Sequence, residues 1–93
     1  MTHAVVLIEA DRDAMSELGG ALAAVEGVRE AYSVTGSWDF VAIVGVRRHE
    51  ELREVVAEGI ARLHGVARTQ TMVAFEVFSR HDLEAMFDLG REP

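Results

Sequence analysis

Two short stretches of this chain place polar and aromatic side chains where they could hold a small molecule. The first is Gly36-Ser37-Trp38-Asp39-Phe40. Gly36 permits close backbone approach, Asp39 can hold an ammonium group, and Trp38 can cover an apolar one. An ordinary turn explains the same residues, with Asp39 bonding its own backbone, because Gly, Ser and Asp are the residues that make turns. The second stretch is Thr69-Gln70-Thr71. Residues two apart on a strand share a face, so the two threonine hydroxyls converge beside Met72 and Val73. Plain strand propensity accounts for threonine here equally well.

Catalytic groups are harder to find. The four histidines, His3, His49, His64 and His81, fall at the N-terminus, in a loop, at a helix end and in a capping turn. None has a Ser, Cys or Asp at a spacing that suggests a triad. No pair is spaced His-x-x-x-His, and the chain has no cysteine, so a metal centre, a zinc–thiolate site and a disulfide are not expected. Glu50, Glu51, Glu54 and Glu58 gather on one predicted helix, but Arg53 and Arg62 are close enough to offset them as a solvated face. The expectation is no catalytic residue, no metal and no cofactor.

These candidates need elements to position them. The run Ala4 to Ile8 is short and β-branched, as a strand covered on both faces would be. Asp11 or Asp13 can cap the helix that follows, whose buried stripe would be Met15, Leu18, Leu22 and Val25. Gly27 ends that helix. A strand over residues 28–34, a turn over 35–39 and a strand over 40–46 then form a hairpin. Leu52, Val55, Val56, Ile60 and Leu63 define one face of a second helix, ended by Gly65, and Thr69 to Phe78 reads as a last strand. Ser79-Arg80-His81-Asp82 matches a capping box for a tail helix carrying Leu83, Met86 and Phe87 and ending near Gly90.

The order βαββαβ, with helix–Gly–Val–strand joints at residues 27–28 and 65–66, predicts an α+β, ferredoxin-like sheet with both helices on one face. Residues 1–93 fit a single domain. With 49% hydrophobic residues and no staple, a chain this small is expected to hide its open sheet face against a second copy, giving a dimeric α+β barrel type of association. The net charge of −7 has the wrong sign for direct nucleic-acid binding, and Arg47, Arg48 and His49 read as a solvated loop. No apolar run is long enough to span a membrane and no signal peptide is evident, so a soluble cytoplasmic protein is expected.

The segments Val34-Thr35-Gly36-Ser37-Trp38-Asp39-Phe40 and Gly65-Val66-Ala67-Arg68-Thr69-Gln70-Thr71, in this order on these elements, resemble the effector-binding (RAM) domain of the Lrp/AsnC, or feast/famine, transcriptional regulators. The resemblance covers essentially the whole chain. It implies a sheet-to-sheet homodimer assembling into rings, and an amino acid or related small molecule bound between subunits. Carried over by position, Gly36, Ser37, Trp38 and Asp39 would form the loop wall, and Thr69 and Thr71 would bond the effector's polar end across the dimer interface. An apolar amino acid is favoured, because Trp38 adds hydrophobic wall and the loop offers no cation. Met1 is followed almost at once by the first strand, so the expected form is the stand-alone module without a helix-turn-helix, working as a sensor or by co-assembly with a full-length regulator. Two other classes remain open: a cofactor-free dimeric α+β barrel enzyme, and a purely structural oligomerisation module whose pocket is filled by Trp38.

Overall fold

A computed structural model of the protein describes residues 1–78 and residue 80. The tail helix expected around Leu83, Met86 and Phe87, with its cap at Ser79, lies outside the described residues. Four strands form one antiparallel sheet in the order β2-β3-β1-β4, where β1 is Thr2–Ala10, β2 Val28–Ser33, β3 Phe40–Val46 and β4 Val66–Val73. The helix α1 (Met15–Ala23) joins β1 to β2. A second helix, α2, spans residues 49–60 and joins β3 to β4. This is the ferredoxin-like arrangement expected from the element order.

One face of the sheet carries the core. Ala4, Val6 and Ile8 of β1 and Phe40, Ala42, Val44 and Val46 of β3 alternate inward and meet Leu18 and Leu22 of α1 and Leu52, Val55 and Ile60 of α2. The helix start differs from expectation in its chemistry. Neither Asp11 nor Asp13 caps through its side chain; a tight turn at Arg12–Ala14 leads into α1, with the Ala14 amide donating to the Asp11 carbonyl at 3.0 Å. The buried stripe is Ala14, Leu18 and Leu22, while Met15 is exposed. In α2 a tight turn at His49–Glu51 gives way to a wide one at Glu54–Ile60, closed by an Ala61 amide to Val56 carbonyl bond of 2.9 Å. The five-residue step puts Val55 and Ile60 on one face.

The joint between α2 and β4 is tight. Gly65 has φ +92°, and a Cβ there would collide with the Ala14 side chain, so glycine is required both by backbone conformation and by space. The strand begins at once at Val66. It ends at Val73 and not at Phe78: Ala4 pairs with Val73, and the Ala74 amide donates to the His3 carbonyl as the last bond of the ladder. Phe75, Val77 and Phe78 beyond it are exposed.

The opposite face of the sheet is uncovered. Register places Tyr32, Val41, Leu7 and Gln70 in one row across it, and Glu30, Ile43, Val5 and Met72 in the next. Val5, Leu7, Val41 and Ile43 are half-buried by their neighbours alone, and Tyr32 and Met72 are exposed at 47% and 45%. Among the described residues no helix is long and apolar enough to cross a membrane.

Candidate functional site

The link between β2 and β3 is tied down at both ends. The Val34 amide donates to the Asp39 carbonyl at 3.0 Å, and the Asp39 amide donates to the Ile8 carbonyl at 2.9 Å. Asp39 also reaches across to β1 with its side chain: the Ala10 amide donates to Asp39 Oδ2 at 2.8 Å. The carboxylate therefore takes a ladder position that a backbone carbonyl would otherwise fill, and does so with a residue far away in sequence instead of bonding its own turn. Thr35, Gly36 and Ser37 project as an exposed tip, while Trp38 and Asp39 are half-buried at its base. Gly36 has φ +107° with open space where a Cβ would stand, so the turn needs glycine for backbone conformation only.

Trp38 does not stand alone. The Arg68 guanidinium carbon lies 4.3 Å from the centroid of the Trp38 ring, within range of a cation–π contact. Arg68 is paired in register with Glu9 of β1, and its Nη2 lies 3.5 Å from Glu9 Oε2. Both residues neighbour inward-facing positions, Ile8 and Thr69, so both sit on the open face of the sheet. The structure thus links the two stretches singled out in the sequence, Gly36 to Phe40 and Thr69 to Thr71, through Trp38 and Arg68, the residue directly before Thr69.

The threonines lie on the other side. Thr69 pairs with Ile8 and Thr71 with Val6, both buried under the helices, so the two hydroxyls share the helix-side face as their spacing predicts. Thr71 lines a groove of about 450 Å³ between β4 and α2, with Leu52, Arg53, Val56 and Val73 among its other walls. Within one chain, then, Thr69 and Thr71 do not converge with Trp38 on a single pocket. A second hollow of about 540 Å³ lies at the far end, between Gly27, Gly45 and α2, where Glu26, Glu51, Glu54 and Glu58 contribute. Arg62 pairs with Glu58 at 3.0 Å, as the helical spacing suggests, and Arg48 with Glu51 at 3.5 Å. Among the described residues no group of three or more His, Asp or Glu side chains is placed to hold a metal ion.

Two side chains at this end of the sheet are not picked out by motif reading: Arg68 and Glu9. Arg68 stands directly before Thr69 in the sequence, and the odd–even alternation of the strand is the signal that sends it to the face opposite the threonines. That the same face receives Trp38 depends on the β1–β3–β4 register, which spacing within one segment does not reveal.

The comparisons with known proteins agree with this architecture. Residues 3–83 match the Lrp/AsnC ligand binding domain. An HTH-type transcriptional regulator of Pyrococcus furiosus is 36% identical over 77 residues, covering 80% of this chain and 51% of its own, so the chain spans about half the length of this relative. The crystal structure of TTHA0845 from Thermus thermophilus is 45% identical, with a TM-score of 0.80 over 86% of this chain and 100% of that one. A Neisseria meningitidis transcriptional regulator, NMB0573, solved as a complex with L-Met, shares the fold at 15% identity, with a TM-score of 0.75 over 85% of this chain and 53% of its own. The sheet order, the tethered turn and the family match lead to one conclusion: this chain belongs to the Lrp/AsnC ligand-binding domain family, whose relatives here are transcriptional regulators.

Proposed function

We propose that the domain binds a small effector of the amino-acid class and self-associates through its open sheet face, acting in transcriptional regulation. The carrying observation is the base of the β2–β3 turn. There Asp39 is locked to Ala10, and Trp38 is presented beside the apolar rows of an uncovered sheet. A second copy laid over Val5, Leu7, Val41, Ile43 and Tyr32 would remove this apolar surface from water, at roughly 25 cal/mol for each Å² buried. It would also enclose the Trp38 end of the sheet. In such an assembly Gly36, Ser37, Trp38 and Asp39 form the loop wall. Thr69 and Thr71, on the opposite face of the edge strand, serve the effector's polar end across a subunit contact.

The amino-acid class is supported by the L-Met complex of the Neisseria meningitidis protein of the same fold. The net charge of −7 leaves operator contact to a full-length regulator of the family with which the domain would co-assemble. Trp38 is the single tryptophan, so its fluorescence reports the site directly. Titration with the twenty amino acids should give a saturable emission change for a few of them, lost in Thr71→Val. A flat response from a stable oligomer would replace this reading with that of a structural assembly module.

A further inference from the structure

We propose that Arg68 is the residue that binds a carboxylate of the effector, and that Glu9 is a resident carboxylate which the ligand displaces. The proposal rests on the effector-binding reading above and adds to it a chemical requirement: the ligand must carry a carboxylate.

Arg68 is held in position without being used up. Its guanidinium carbon lies over the Trp38 ring, 4.3 Å from the centroid, a contact that restrains the side chain and lowers the entropy lost when a planar partner docks. Of its five N–H donors, the hydrogen bond recorded among the described residues runs from Nη2 to Glu9 Oε2, and at 3.5 Å it is long for a charge-assisted bond. In the single chain the side chains are 59% and 43% exposed, so before a second copy covers the face this ion pair is worth little and is readily exchanged for another carboxylate. The fork geometry of arginine suits a bidentate carboxylate, which Glu9 does not supply with one oxygen at that distance.

The neighbourhood fits the rest of a small amino acid. Trp38 offers an aromatic face beside the guanidinium, and the Asp39 carboxylate, anchored through Oδ2 to Ala10, lies at the base of the same turn. A carboxylate drawn to Arg68 would place an apolar side chain against the ring or the half-buried row of Leu7 and Val41. A cation at this end of the sheet also admits a ligand with a side-chain carboxylate, beside the apolar amino acid favoured from the sequence.

The test is equilibrium dialysis of wild type, Arg68→Gln, Arg68→Lys and Glu9→Gln against the twenty L-amino acids, then against the α-amides of those that bind. Both substituted residues are partly exposed, and matching thermal midpoints would show that the variants fold alike. The expected result is that removing the carboxylate from the ligand, or the guanidinium from the protein, weakens binding about tenfold or more, and that Arg68→Gln no longer distinguishes acid from amide. Arg68→Lys should recover part of the loss. Glu9→Gln should tighten binding a few-fold by removing the competitor. A loss confined to α-amides assigns the α-carboxylate, whereas a preference for glutamate over glutamine assigns a side-chain carboxylate. Wild-type affinity and acid-over-amide preference retained in Arg68→Gln would overturn the proposal while leaving the effector site intact. No amino acid retained by wild type would overturn both.

Discussion

Asp39 closes the end of the β1–β3 ladder with its side chain: Oδ2 accepts the Ala10 amide at 2.8 Å while the Asp39 amide donates to Ile8. The residue most suggestive of ligand chemistry in the sequence therefore also holds the turn to the sheet. Asp39→Ala leaves a half-buried amide without its acceptor and should cost about 1.5–3 kcal/mol, the range for hydrogen bonds to a charged group. Asp39→Asn keeps an acceptor oxygen and should cost about half as much. Urea midpoints at unchanged slope would report both. Equal stability of Asp39→Ala and wild type would contradict the tether, and any test of Asp39 as a ligand contact should use Asn for this reason.

The two left-handed glycines that border the candidate site separate backbone strain from crowding. Gly36→Ala meets only the conformational penalty, about 1–2 kcal/mol, because nothing lies within 4 Å of the added carbon. Gly65→Ala meets the same penalty plus overlap with Ala14, adding about 1–3 kcal/mol as overpacking does. Thermal unfolding should rank Gly65→Ala well below Gly36→Ala. The reverse order would mean that the α2–β4 joint gives way more easily than its contacts with Ala14 allow.

Tyr32 lies on the open sheet face beside Glu30, and its phenol is held above its ordinary value of 10.0. The causes are first a hydrogen bond to Glu30, then partial desolvation, then repulsion from the same carboxylate. It is the single tyrosine and the sequence has no lysine, so an alkaline absorbance titration reports this group cleanly. The midpoint should lie above 10.0 and fall toward it in Glu30→Gln. A raised folded-state value means the unfolded chain ionises first, so whatever stability this phenol contributes is present below pH 10 and is lost as pH rises through the folded-state midpoint. An unshifted midpoint in both proteins would remove the Glu30 contact from the account.

Much of the fold was legible because periodicity is a local property. The alternation of Phe40, Ala42, Val44 and Val46 marks a strand with one face inward, and Gly27 and Gly65, at φ +97° and +92°, mark the turns into β2 and β4, although α1 and α2 end earlier, at Ala23 and Ile60. What stayed hidden depends on contacts between segments. The sequence stays mainly apolar through Phe78, yet β4 ends at Val73, where its pairing with β1 stops at Ala4. Asp11 and Asp13 have the right type for a cap, but the chain enters α1 through a tight turn satisfied by the Asp11 carbonyl. At the candidate site the sequence marks Trp38, Asp39, Thr69 and Thr71, yet the contact that joins the two stretches is made by Arg68, whose neighbour becomes visible only when β4 is laid beside β1.

The central claim is that effector binding depends on self-association through the open sheet face, and sedimentation of wild type and Ile43→Asp with and without the responding amino acids tests it most directly. Ile43 is half-buried on that face, paired with Val5, and contributes nothing to the helix-side core. The account predicts that wild type sediments as a dimer or larger, that Ile43→Asp sediments as a folded monomer, and that the monomer no longer retains the amino acid. A wild type that stays monomeric at every concentration, or an Ile43→Asp protein that assembles and binds as wild type does, would contradict it.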